Sequence, residues 1–178
     1  NIVYPISQLI WMIAHPENGQ PNDTQLDRAA ALGIGYHLTF SGVRNGQTGP
    51  RFRSTMESGV RMCLASDAMN VAPYAPFQNL WYVTTGQTLL PGVPGVPVAQ
   101  RLTREEALRH ATVECAWFLG QEGKLGSLEA GKHADLIVLS DDYFAVADNA
   151  IKDVRSVLTV VAGRIVYADA EYTGLEQN

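Results

Sequence analysis

The chain has 178 residues, of which 46% are hydrophobic and 17% charged, a composition that excludes disorder throughout. The length suits one or two compact units able to bury a core without staples. Thirteen Lys and Arg against eighteen Asp and Glu leave a net charge of −5 with the basic residues scattered, which argues against nucleic acid and anionic membrane surfaces as partners.

The chain opens Asn1-Ile2-Val3-Tyr4, without an initiator Met and without the charged-then-apolar pattern of a signal peptide. It is expected to be a processed product or a piece of a longer polypeptide. Residues 9–15 form an apolar run ending at His15, as in a strand buried on both faces of a parallel sheet. After the turn cluster 18–23, Asp23 or Thr24 is expected to cap a helix reaching about Leu32 and stopped by Gly33. Residues 35–40 read as a second strand, 41–50 as a loop, and Phe52 to Ser58 as a helical stretch closed by Gly59. Residues 60–67 are a third buried strand. Strand, helix, strand, loop, helix, strand is the pattern of a parallel α/β sheet. All three strands deliver polar residues at their C-terminal ends, the edge where a (β/α) barrel carries its chemistry.

Residues 86–98, with three Pro and three Gly, read as an irregular excursion: a lid or an interface arm. Thr103 and Glu106 form a capping box for a helix expected to run to about Leu119. The texture then changes. Residues 125–132 are turn-rich, and 134–140, 154–161 and 164–168 read as strands, the last two joined by a hairpin at Ala162-Gly163. Cys63 and Cys115 lie in apolar stretches without metal-type spacing. They read as reduced core thiols, which points to a reducing, cytoplasmic setting. No apolar run approaches the roughly 18 residues of a membrane span.

The stretch from Glu122 through Gly126-Ser127-Leu128-Glu129-Ala130-Gly131-Lys132 to Ala134-Asp135-Leu136-Ile137-Val138-Leu139 resembles the C-terminal signature of the amidohydrolase superfamily. There it leads from the last barrel helix into a β-sandwich. Val160 to Tyr167 resembles the closing hairpin of that sandwich. Gly59 to Asp67 looks like the eighth barrel strand, which ends in Ser-Asp. Trp11-Met12-Ile13-Ala14-His15 is similar to the sixth strand of the YtcJ-like subgroup. The resemblance implies a partial (β/α) barrel, its last three strands over residues 1–122, followed by part of a β-sandwich over 123–178.

It also implies a site. The residue matching Asp67 ligates a divalent metal, zinc above all, and takes a proton from the attacking water. His15 matches a metal-site histidine of the sixth strand, although Pro16 departs from the pattern. Read from the residues alone, Asp67 is a strand-end cap and His15 a half-buried histidine on a carbonyl. His37 could line the pocket or sit satisfied on a barrel wall. Ser66 orients Asp67 or closes the strand turn; Asn70, like Tyr74 and Gln78, follows the Asp and could touch substrate or belong to an ordinary loop. His110 reads as a surface or packing residue and His133 as a turn residue. Trp11, Trp81 and Trp117 read as core.

The reading that follows is a metal-dependent hydrolase of C–N (amide-type) or ester bonds in small molecules. No His-x-His pair occurs, so the missing barrel half or a second protomer would have to complete the ligand set, and this chain alone is expected to be inactive. The rival is a non-catalytic oligomerising module, with Trp81, Tyr82 and the 86–98 arm as contact segments covering exposed edges. A small-molecule binding domain without metal is a third reading.

Overall fold

The computed structural model describes residues 10–16, 21–39, 49–68, 72–89 and 95–175. Its first sheet is parallel, in the order β1 (Met12–Ala14), β2 (Gly35–Thr39), β3 (Met62–Ala65). Helix α1 (Asp23–Ala31) connects the first two strands, and α2 (Phe52–Glu57) precedes the third. Asn22 rather than Asp23 or Thr24 caps α1. Its side chain accepts from the Gln25 amide at 3.0 Å while Gln25 accepts from the Asn22 amide at 2.9 Å. Losing such a cap costs about 1 kcal/mol.

Register fixes the faces of this sheet. Tyr36 lies beside Met62, His37 beside Cys63, Leu38 beside Leu64 and Thr39 beside Ala65, while Ala14 lies beside His37. Alternation then puts Tyr36, Leu38, Met62 and Leu64 on one face. These four are buried in the main core with Leu26, Ala29 and Phe52. His37, Thr39, Cys63 and Ala65 share the other face.

β1 differs from its expectation. It is only three residues long, and its sequence run is exposed: Trp11 is 58% accessible and Met12 55%. Trp11 is therefore not a core residue here. Among the described residues β1 pairs with β2 alone and forms the sheet's margin, and none of them covers its apolar side chains.

Helix α3 (Pro76–Thr85) has no counterpart in the sequence reading. Proline at its first turn and Gly86 in the left-handed region at its end (φ 71°) are ordinary helix punctuation. Its apolar residues, however, run all the way round, so no helical period is visible. Trp81 and Tyr82 are 3% and 6% exposed inside this packing, which corrects the expectation that they form an outer contact segment. Of the 86–98 arm, residues 90–94 lie outside the described residues.

The capped helix is two helices. α4 (Arg104–Ala111) starts at the expected Thr103–Glu106 box, and α5 (Val113–Phe118) follows after a break at Thr112 (φ −127°, ψ −77°). The Thr112 hydroxyl donates back to the Leu108 carbonyl at 2.8 Å. A threonine bonding back in this way bends a helix. α4 is tied to α2 by a fork in which Arg53 meets both Glu106 oxygens at 2.8 and 2.7 Å. Burial pushes the Glu106 carboxyl up, but Arg53 and the Thr103 amide outweigh it and hold the group below the usual carboxylate range.

The cysteines correct another expectation. Cys63 on β3 and Cys115 on α5, 52 residues apart, are joined in a disulfide with their Cα atoms 4.8 Å apart. The two apolar stretches pack directly on each other, a proximity that sequence separation conceals. The reduced thiols from which a cytoplasmic setting was inferred are thus absent from the oxidised fold. α5 approaches so closely that a Cβ on Gly35 would lie 2.6 Å from the Phe118 ring, so a larger residue there would push the ring aside.

The second sheet is antiparallel, in the order β4 (Leu136–Leu139), β5 (Ser156–Val161), β6 (Arg164–Ala168). Its hairpin turns at Ala162 (φ 49°) and Gly163 (φ 77°), the two left-handed residues of a primed turn. It docks on α3 and α4 through the segment between β4 and β5. Tyr143 packs edge-on against Phe77 at 5.7 Å. Arg104 donates to the Tyr143 and Val146 carbonyls, each at 2.7 Å. Ile151 is fully buried in the same core. Burial pushes the Tyr143 phenol up to about 12. Among the described residues no helix is long and apolar enough to cross a membrane.

Candidate functional site

Parallel strands in register bring their C-terminal ends to one edge. β1 ends at Ala14 and β3 at Ala65, so the residues just beyond, His15 and Asp67, reach the same rim. Both take left-handed backbone conformations, φ 57° at His15 and 48° at Asp67. Few non-glycine residues adopt these, with Asp and His among the tolerated exceptions. The His15 amide donates to the His37 carbonyl at 3.1 Å, so β1–β2 pairing extends through this residue.

The two side chains converge. His15 Nε2 stands 3.7 Å from Asp67 Oδ2, with both side chains partly open to solvent. His15 Nδ1 faces the Thr39 hydroxyl at 3.4 Å. Thr39 is fully buried at the end of β2 and fixes the ring from below. The separation of 3.7 Å is too long for a strong direct hydrogen bond. A cation about 2.0–2.2 Å from each donor would fit that span. Imidazole nitrogen and carboxylate oxygen are both suitable donors for zinc, so this pair fits two positions of such a site. Among the described residues no group of three or more His, Cys, Asp or Glu comes together.

The other candidates separate. Ser66 lines an open cleft of about 340 Å³ with Asp67, Tyr74, Pro76, Asn79 and Leu80. Asn79 is buried and donates to the Pro73 carbonyl at 3.0 Å, which anchors the return segment bearing the exposed Tyr74. His37 lies lower, level with Ala14 and Cys63, and its carbonyl receives the His15 amide. Asn70 lies outside the described residues. His133 is exposed, just after the turn at Ala130-Gly131.

His110 is not a surface residue. It is 7% exposed, and its Nδ1 lies 2.8 Å from the Met62 carbonyl. That carbonyl can only accept, so Nδ1 carries the proton. The amide of Tyr36 takes the Arg61 carbonyl; by alternation the Met62 carbonyl points away from β2, and His110 covers that margin of β3. Burial lowers the His110 pKa, against partial support from the Met62 carbonyl and Glu114. Next to it the buried Glu114 receives Arg61 at 2.6 Å and Arg109 at 3.0 Å, and Arg61 lies over the Trp117 ring at 4.4 Å. Burial fits the packing alternative for His110, whereas Thr39, Arg61 and Glu114 escaped the sequence reading. Thr39 had one available signal: it follows His37 by two residues, on the same strand face.

The chain matches the model of the amidohydrolase family over residues 12–167. An N-substituted formamide deformylase from Arthrobacter pascens is 35% identical over 115 residues, which cover 65% of this chain and 21% of that protein. A 5-methylthioadenosine/S-adenosylhomocysteine deaminase from Symbiobacterium thermophilum is 41% identical over 76 residues, 38% of this chain and 17% of the relative. The matches thus span about a fifth of the curated relatives' length. Among solved structures, the zinc complex of atrazine chlorohydrolase TrzN from Arthrobacter aurescens TC1 superposes with a TM-score of 0.64 at 20% identity, over 89% of this chain and 36% of that one. The family match takes in both the parallel sheet with its His15–Asp67 rim and the antiparallel sheet behind it, so the chain belongs to the amidohydrolase family.

Proposed function

We propose that this chain forms the last three strands of a (β/α) barrel over residues 1–122 and part of a β-sandwich over 123–178, in a metal-dependent hydrolase of small-molecule C–N or ester bonds. The observation that carries the reading is the convergence of His15 and Asp67 at the C-terminal rim of the parallel strands. His15 and Asp67 would hold a divalent cation, zinc first. Bound there, the cation supplies Lewis acidity that brings the pKa of water toward neutrality. Asp67 then takes a proton from the attacking water and returns it to the leaving nitrogen, so that an amide plus water gives a carboxylic acid and an amine. Thr39 holds the His15 ring, Ser66 supplies a substrate contact in the cleft, and His37 and Asn70 are assigned further substrate contacts.

The two donors are fewer than the three or four a zinc site uses. The remainder would come from another part of a longer polypeptide or from a second copy of the chain. The zinc bound by TrzN and the formamide substrate of the Arthrobacter deformylase support this reading and suggest the first assay. The full-length gene product, loaded with zinc, should release formate from N-substituted formamides. Asp67→Asn should lower kcat by at least about 10³-fold while leaving the fold intact. A full-length protein that hydrolyses amides equally well with Asn at this position would overturn the assignment.

A further inference from the structure

We propose that the Cys63–Cys115 disulfide is a redox-operated clamp on the cleft beside Asp67. The bond closes a covalent loop between β3 and α5. Every residue lining that cleft, from Leu64 to Ala111, lies inside the loop. Cys63 is on the strand that ends at the rim, four residues before Asp67.

The partner element is short and set off from its neighbour. α5 has six residues and is separated from α4 by the break at Thr112. A helix that short does not sustain itself in water. Its non-covalent ties are the ion pairs of the buried Glu114 with Arg61 and Arg109, Arg61 over the Trp117 ring, and the seat of Phe118 on Gly35. The disulfide is the covalent tie added to these, and the one that a change of redox state removes.

The bond is also reachable from one side. Cys63 is buried, whereas Cys115 is only half-buried. A thiolate of a small dithiol would attack the Cys115 sulfur and form a mixed disulfide, and the Cys63 sulfur would leave and take a proton from water. The second thiol of the dithiol then displaces Cys115. Two electrons pass from the dithiol to the protein, and a cyclic disulfide and two cysteine thiols result. Oxidised glutathione reverses the exchange.

The test begins with the purified chain equilibrated with oxidised glutathione. Denaturation and alkylation should add no label without dithiothreitol and two labels after it, read by intact mass. Hydrogen–deuterium exchange of the native protein should then rise by at least about tenfold in peptides from 64–118 on reduction, stay unchanged in β4–β6, and fall back on reoxidation. The double variant Cys63→Ala/Cys115→Ala should show the reduced pattern without dithiothreitol; if it does not fold, the reduced wild-type protein carries the comparison. Free thiols after oxidation, unchanged exchange in 64–118, failure to reclose, or an equal rise in β4–β6 would each overturn the clamp.

Discussion

At the entry of β3, Arg61, Met62 and Cys63 are each held by a partner on α4 or α5: a carboxylate, a histidine ring and a disulfide. At its exit, Ser66 and Asp67 stand in an open cleft, and Asp67 carries a left-handed backbone. The same strand is thus saturated with interactions at one end and strained and accessible at the other. The polar groups at the entry are paired, with His110 and Glu114 buried and Arg61 partly in solvent, which makes them structural. Those at the exit open onto the cleft, and Asp67 holds a left-handed backbone there, as expected where chemistry is carried by a rigid support.

The contrast can be broken most forcefully at Arg61. Arg61→Ala leaves the buried Glu114 with only the exposed Arg109 and removes the packing over Trp117. A loss of about 2–3 kcal/mol is expected in urea unfolding, below the 3–5 kcal/mol of a fully buried pair because both arginines are partly in solvent. A loss under about 0.5 kcal/mol would remove Arg61 from the structural group.

A smaller effect is expected from pH. The folded state lowers the His110 pKa mainly by burial, with Glu114 and Glu106 favouring the charged form and Arg109 opposing it. The unfolded chain therefore binds the proton more readily. Stability from this group is complete above its unfolded value near 6.5 and is lost as pH falls through the lower folded value. The urea midpoint should drop on going from pH 7.5 to 5, and His110→Gln should flatten that part of the profile. An unchanged slope in the variant would assign the acid sensitivity elsewhere.

The sequence carried the three strand–polar-end patterns, the Thr103–Glu106 box and the Ala162-Gly163 hairpin, because each is local: a run, a spacing, a dipeptide. It did not reveal α3, whose apolar residues surround the helix and erase the period. Nor did it reveal the break at Thr112, where the threonine hydroxyl bonds back to the Leu108 carbonyl within an otherwise continuous helical pattern. The site was legible in the same uneven way. His15 and Asp67 mark strand ends, and strand ends in a parallel sheet meet at one rim. Thr39 and the His110–Met62 contact depend on register and on which carbonyls point outward, which no spacing encodes. The disulfide joins residues 52 apart, and the same cysteines in apolar runs fit free thiols equally well.

The exit end should respond with the opposite sign. Asp67→Gly removes the Cβ from a left-handed position at φ 48°. It should raise stability slightly, by up to about 1 kcal/mol, because the strain relieved exceeds the entropy glycine adds to the unfolded chain. The same change should abolish hydrolysis by the full-length gene product. Loss of stability in this variant would mean that Asp67 works as a strand cap and would bring the exit end closer in kind to the entry.

The finest test concerns Thr39, which sits at the exit yet is buried like an entry residue. Its hydroxyl faces His15 Nδ1 at 3.4 Å while Nε2 faces Asp67 at 3.7 Å, so the proton position on the ring depends on what Thr39 offers. A donated hydroxyl hydrogen would leave the ring proton on Nε2, aimed at the carboxylate. A hydroxyl acting as acceptor would leave Nε2 bare and ready for a cation. Thr39→Val keeps the shape and removes the hydroxyl. It should shift the His15 tautomer ratio in ¹⁵N spectra while changing stability by no more than about 1 kcal/mol. A tautomer ratio untouched by this change would mean that the rim pair is set by its own strained backbone and by Asp67. In that case the support from β2 ends at the His37 carbonyl.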